Sequence, residues 1–383
     1  MKLPLFFLLL ILAFNGAYGQ QQIGRFKEKF ELPEKVKETS GLLFLDGKII
    51  THNDSGDAAN LYELDSVSGV ILRTISVSNA TNIDWEDLAE NDTHIFIADI
   101  GNNTGDRQDL KIYSILKSDF KNNTVVSAEV ISFSYEDQTD FSNQPNSSNF
   151  DAEGIVIYEN QLLIFTKNWA DLKTNVYKIP LTTGTHTALK ISSANVTGLI
   201  TGAVYTNDRF FLTGYDTSLV PFLIYISYNR IPGEDIFFSG FNKISLKNEM
   251  GQGSQVEGIT NIGATGRYCL SRENFSTTIS GTTFTFKQKL YEFYDETAPL
   301  LSVANNELSL MSISPNPAIH KVTLKTNLPL SSLEIYNSLG AKVCVAIAPN
   351  KKEIDISSLP AGVYYLKIDF LGNHSILRKI IKL

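Results

Sequence analysis

The sequence predicts an all-β chain: a β-propeller of five blades, then a small C-terminal β-sandwich. Six blades stay open if the long second repeat hides a further hairpin. Two observations carry the prediction. A strand–turn–strand plan recurs roughly every 45–65 residues, which is the signature of a propeller. Its segments are short, apolar and partly alternating, with the period of two that half-buried strands need. Thus Glu38-Thr39-Ser40-Gly41-Leu42 precedes Lys48–Asp54, and Asp84-Trp85-Glu86-Asp87 precedes His94–Asp99. Asp151–Ile155 precedes Leu162–Asn168, Val196–Leu199 precedes Phe210–Asp216, and Val256–Ile259 precedes Arg267–Glu273.

Taken in order, Lys2 stands before an apolar run from Leu3 to Phe14, followed by Ala17-Tyr18-Gly19. That pattern reads as a signal peptide over residues 1–19, and the run is too short to span a bilayer. No transmembrane segment is expected after its removal. Residues 20–295 form the expected propeller. Arg25–Leu32 reads as a lone strand, expected to close the ring beside Gln288–Tyr294 and so remove an exposed sheet edge. Blade one uses residues 42–77, blade two 85–135, blade three 153–191, blade four 198–246 and blade five 256–294. Two polar stretches, Glu136–Asn149 and Asn274–Thr283, break the spacing and read as loop insertions. Residues 296–311 read as a linker, and 312–383 as a compact sandwich of short strands.

With 383 residues the chain is long enough for one large and one small domain. A net charge of −8 argues against nucleic acid or an anionic membrane surface as partner. The two cysteines, Cys269 and Cys344, fall in different expected domains, so no disulfide framework is expected.

Within 312–383, the opening Ser314-Pro315-Asn316-Pro317, the strand Leu359-Pro360-Ala361-Gly362-Val363-Tyr364-Tyr365-Leu366-Lys367 and the basic tail Arg378–Leu383 form a specific combination. The segment resembles the type A C-terminal sorting domain of the type IX secretion system. That resemblance implies export through the type IX machinery, with the cargo released or attached to the cell surface. The cargo itself resembles secreted bacterial propeller proteins of unassigned function. The resemblance rests on His52–Asp57, Asp84–Asp87, Ala98–Asn103 with Arg107, Asp151–Gly154 and Val256–Gly258. It extends more loosely to propellers labelled esterase-like or phytase-like. Gly198 stands where other repeats carry an acidic residue, so the fourth blade departs from the pattern.

In a four-stranded antiparallel blade, the start of the innermost strand and the end of the second lie on one face. Glu38, Glu86, Glu153 and Glu257 sit at or near inner-strand starts, as do Asp84 and Asp151. His52, Asp54, Asp99, Lys167, Tyr215, Arg272 and Glu273 sit at second-strand ends. All are expected around one mouth, with Trp85, Trp169 and Arg107 on the same face. Crowded carboxylates raise one another's pKa values unless a cation compensates them. Oxygen donors without cysteine favour Ca²⁺ or Mg²⁺. Glu38, Glu86, Glu153 and Glu257 are therefore the expected metal ligands. Trp85, Asp99, Arg107, Trp169, Tyr215 and Glu273 are expected to bind a ligand, and His52, Asp54, Lys167 and Arg272 are the catalytic candidates. The competing role for any one acid is structural, accepting backbone N–H groups of a neighbouring blade.

Two functions follow. One is a secreted or cell-surface propeller that recognises a carbohydrate, peptide or anionic ligand at an acidic, cation-binding mouth. The alternative is a calcium-dependent, phytase-like hydrolase of phosphoesters or other esters. No G-x-S-x-G, H-E-x-x-H or phosphate-cradling glycine loop is present.

Overall fold

The structure, a computed structural model, describes residues 23–295 and 312–383 apart from positions 208, 228–234, 239, 264–265, 280, 326–329, 338–340, 346–351 and 371–373. The expected signal peptide and linker lie outside the described residues. The chain divides into two compact units, Met1–Pro299 and Leu300–Leu383.

The first unit is a propeller. Among the described residues it holds five antiparallel four-stranded blades, with inner strands Thr39–Leu45, Trp85–Glu90, Ala152–Tyr158, Leu199–Thr206 and Val256–Asn261. These pack side by side in a closed ring, the fifth returning to the first. Blades form because apolar residues, Leu, Ile, Val, Phe and Tyr among them, recur through the segments and turns interrupt each before a longer element can grow. The inner strands are buried nearly end to end, as ring closure demands, while the outer strand Ile71–Val77 alternates. Apolar side chains fill the seams: Trp85, Leu43, Ile50 and Ile97 share one cluster between the first two blades.

The ring closes as the sequence predicts. Ile23–Glu31 is the outer strand of the fifth blade, antiparallel to Lys289–Asp295 in a register from Ile23↔Asp295 to Glu31↔Lys289. Phe26 packs on Tyr291 and Phe293. The buried Glu292 carboxylate meets Lys29 at 2.7 Å, Arg267 at 2.9 Å and Lys27 at 3.6 Å. The periphery is stitched elsewhere too: Glu129–Tyr135 runs parallel to Gly184–Ala194, joining the second and third blades in one sheet.

The two irregular stretches differ from each other. Residues 136–149 form turns without a strand. By contrast, the expected insertion at 274–283 lies in a two-stranded ribbon, Phe275–Ile279 with Thr282–Phe286. Its β-branched threonines and the left-handed Gly281 turn (φ 81°) favour a hairpin over a loop.

The second unit is a small sandwich. One sheet holds Ser312–Ser314, Lys321–Lys325 and Glu353–Asp355; the other holds Lys342–Val345, Leu330–Asn337, Gly362–Phe370 and His374–Lys382. Val322, Leu324, Ile335, Ile354, Leu366 and Ile368 form its core.

Candidate functional site

Every inner strand of the propeller is bulged near its start. Pairing with the second strand slips between Thr39 and Leu42, Trp85 and Leu88, Ala152 and Gly154, Ile200 and Gly202, and Val256 and Ile259. Aligned on the bulge, the repeats read Ser40-Gly41, Glu86-Asp87, Glu153-Gly154, Thr201-Gly202 and Glu257-Gly258. A bulge re-aims side chains. The first residue of the pair turns toward the channel, so Ser40, Glu86, Glu153 and Glu257 line one cavity of about 360 Å³. The two hydroxyls bond the neighbouring inner strand: Ser40 donates to the Glu86 carbonyl at 2.5 Å, and Thr201 of the fourth blade to the Val256 carbonyl at 2.6 Å. The second residue is glycine because the next inner strand crosses there: a Cβ on Gly202 would lie 2.4 Å from the Glu257 carbonyl oxygen, and one on Gly258 2.2 Å from that of Ser40.

Asp87 is the exception. Its carboxylate accepts the N–H groups of Leu88 (2.8 Å), Ile155 (2.9 Å) and Ala203 (3.3 Å), tying together the inner strands of three blades. Burial pushes it well above the usual carboxylate range. This is the structural role that competed for each acid. Asp151 plays it as well, accepting the Asn102 N–H at 2.6 Å and the Trp169 indole N–H at 2.8 Å.

The cavity gathers Asp54, Glu86, Glu153, Lys167, Trp169, Tyr215, Glu257 and Glu273 from the expected set. Carboxylate oxygens of Asp54, Asp84 and Glu86 lie within 4.8 Å of one another. Gly101 lets them gather, since a Cβ there would sit 2.1 Å from Glu86 Oε1 and 2.3 Å from Asp84 Oδ2. Burial and the Asp54 charge push Asp84 up to about 8. Burial pushes Asp54 up to about 6, against its hydrogen bond with Asp84. The two thus share a proton near neutrality. Glu86 is raised well above its ordinary value by burial and by Glu153, Asp54 and Asp84. The trio fits a hard divalent cation: all donors are oxygen, they are crowded, and Asp54 Oδ1 is buried without a hydrogen-bond partner.

Opposite them, Lys167 pairs with Glu153. Its Nζ lies 5.1 Å from the Trp169 ring centre and 5.4 Å from that of Tyr215. Burial opposes the ammonium charge, yet Glu153, Tyr215, Glu257 and Asp151 outweigh it and hold Lys167 well above its ordinary value. Glu273 is pushed up to about 7, chiefly by burial.

Six expected residues are placed otherwise. Trp85 is fully buried, its indole N–H donating to the Thr81 carbonyl at 3.1 Å, so it offers no ligand platform. His52 packs edge-on against it at 5.6 Å, and burial lowers it to about 4. Arg272 donates to the Lys287 carbonyl at 2.8 and 3.0 Å, to the Met250 carbonyl and to Ser254 Oγ, which leaves it committed to the loops around the fifth blade. Arg107 and Asp99 pair at 2.9 Å outside the cavity wall, Arg107 also gripping the Gly101 carbonyl at 2.6 Å. Glu38 stands in an exposed groove beside Lys37. It lies two residues before the bulge, and Ser40 is the first blade's counterpart of the three glutamates.

Sequence reasoning missed Asp84 as a partner of Asp54, and it missed Ser40 and Gln255 in the wall. Aligning the pairs before Leu42, Leu88, Ile155, Ala203 and Ile259 would have exposed Ser40. Asn146 also reaches the cavity, because residues 136–149 fold back on the second blade: Gln144 N donates to the Thr104 carbonyl and Asn146 N to that of Asn103.

Residues 312–383 match the family described as secretion system C-terminal sorting domain. This tail indicates export, by secretion or to the cell surface. No helix among the described residues is long and apolar enough to cross a membrane. No curated protein matches the chain. Similar solved structures include the exo-β-1,3-galactanase of Phanerochaete chrysosporium with galactose, at 11% identity, covering 94% of this chain and 100% of the other, with a TM-score of 0.44. A DUF4623 family protein from Bacteroides eggerthii is 13% identical over 72% of this chain and 76% of its own, with a TM-score of 0.37. PhoX of Pseudomonas fluorescens with vanadate is 9% identical over 63% and 58%, with a TM-score of 0.35. Likenesses at this level assign no activity.

Proposed function

We propose that the protein is an exported binding propeller whose mouth holds a hard divalent cation, Ca²⁺ or Mg²⁺, at Asp54, Asp84 and Glu86 and recognises a polar ligand in the adjoining cavity. The observation that carries this reading is the gathering of three carboxylates within 4.8 Å, two of them (Asp54 and Glu86) in the cavity wall, with no arginine among the lining residues. Lys167 is spoken for by Glu153, so a cation from solution is the natural compensation for this trio. Carbohydrate and peptide ligands suit the wall better than anions, because Arg107 and Arg272 are engaged elsewhere. The same engagement weakens the phosphoester-hydrolase reading, which needs those guanidiniums for phosphate. Export proceeds through the type IX machinery acting on residues 312–383, after a signal peptide over residues 1–19 is removed.

Trp169 reports on the mouth while Trp85 is sealed in the core, so fluorescence tests the proposal. Calcium titrated into chelator-treated protein should give a saturable change that Trp169→Phe removes and Asp84→Asn weakens at least tenfold. An unchanged spectrum with millimolar calcium and magnesium contradicts it.

A further inference from the structure

The wall supplied by the fifth blade is chemically one-sided. Glu257 is 6% exposed, lines the cavity and makes no hydrogen bond or ion pair among the described residues. Glu273 beside it makes none through its side chain either. Gln255 Oε1 is buried without a partner, while its amide nitrogen is turned to the Tyr215 hydroxyl at 3.5 Å. Two carboxyl groups and an amide oxygen therefore face one space without a hydrogen-bond partner. Lys167, the lining cation, is held by Glu153.

A second metal ion suits this wall poorly. Among the described residues the carboxylates with metal-ligand spacing are the trio on the other side, and Gln255, Glu257 and Glu273 are not among them. An alkylammonium group, by contrast, carries three N–H donors and no acceptor. Three acceptors in a cavity of about 360 Å³ match that inventory and leave room for the aliphatic stem.

We infer that Gln255, Glu257 and Glu273 form a subsite for a primary ammonium group, carried either by a lysine side chain of a peptide or by a free polyamine. The inference rests on the same cavity being a ligand site but not on the metal. It names the ligand's charged end: a cationic nitrogen enters against the fifth blade while the divalent cation sits against the first two.

The test uses the full protein and isothermal titration at low ionic strength with three probes: N-acetyl-lysine amide, its Nε-acetylated counterpart, and spermidine. Binding of the free-amine lysine probe, at least tenfold weaker after Nε-acetylation, is expected. Tighter binding of spermidine points to a polyamine, and tighter binding of the lysine probe to a peptide. Glu257→Gln should weaken the preferred probe at least tenfold. Glu273→Gln, at a less buried position, should weaken it severalfold and serves if the first variant does not fold. Amine binding measured in chelator should stay within about threefold of its value in calcium, which separates this inference from the metal reading. Equal binding of the free and acetylated probes, no binding of either amine, or unaltered binding by a folded Glu257→Gln or Glu273→Gln variant overturns it.

Discussion

Replacing Glu86 with Gln keeps the side chain's shape and removes its ability to ionise. In the metal-free protein Glu86 is buried among Glu153, Asp54 and Asp84, which hold its pKa well above the ordinary 4.5. A group whose folded pKa is raised contributes stability below the unfolded value and loses it as pH rises toward the folded one. Above pH 4.5 the unfolded chain therefore ionises Glu86 more readily than the folded chain does. The cost is about 1.36 kcal/mol for each unit by which the folded pKa is raised. Glutamine escapes that cost, so Glu86→Gln should unfold at a higher temperature than the parent at pH 7 in chelator, by roughly 2–4 °C for each kcal/mol escaped. The advantage should shrink to nothing near pH 4.5. Calcium reverses the order: it binds the folded parent and adds about 2.7 kcal/mol at a hundredfold excess over Kd, whereas the variant has lost a ligand charge. Differential scanning fluorimetry at pH 5 and 7, with chelator and with calcium, reads all four combinations. A variant less stable than the parent at pH 7 in chelator, or one with an undiminished calcium shift, refutes the reasoning.

His52 should act in the opposite sense. Burial lowers it to about 4 from 6.5, so its contribution is complete above pH 6.5 and is lost, up to about 3 kcal/mol, as pH falls toward 4. The difference in unfolding free energy between parent and His52→Asn, followed by denaturant titration from pH 7.5 to 4.5, should narrow on acidification; a constant difference contradicts this. Glu153→Gln strands the buried Lys167 ammonium and should cost about 3 kcal/mol, most of which Lys167→Met in the same chain restores; additive single effects in a double-mutant cycle count against the pairing. Deleting Ile23–Glu31 uncovers the edge of Lys289–Asp295 and removes two of the three cations on Glu292, so the truncated protein should aggregate on light scattering where the parent does not.

Much of the fold is legible because it repeats. Strand–turn–strand units with apolar interiors recur often enough that the blades and the closing strand can be placed without coordinates. The site is less legible, because its geometry depends on a bulge that period-two reading does not mark. Glu38 looks like Glu86 when strand starts are compared by eye, yet one bulge register separates them, and Ser40 takes the position. His52, Trp85 and Arg272 fall at the right strand ends but point into seams and loops, where burial against Trp85 or backbone carbonyls uses their chemistry. The Asp54–Asp84 contact joins loops of neighbouring blades some 30 residues apart. Only the packing of those blades brings them together.

As proposed, Asp54, Asp84 and Glu86 hold one divalent cation between them. Isothermal titration of calcium into chelator-treated protein at pH 7.5 measures it directly. One site per chain is expected, with proton release as the shared Asp54–Asp84 proton leaves, seen as a heat that varies with buffer ionisation enthalpy; Asp84→Asn should abolish it. Calcium heats indistinguishable from dilution, or a site that survives Asp84→Asn unaltered, contradict the account.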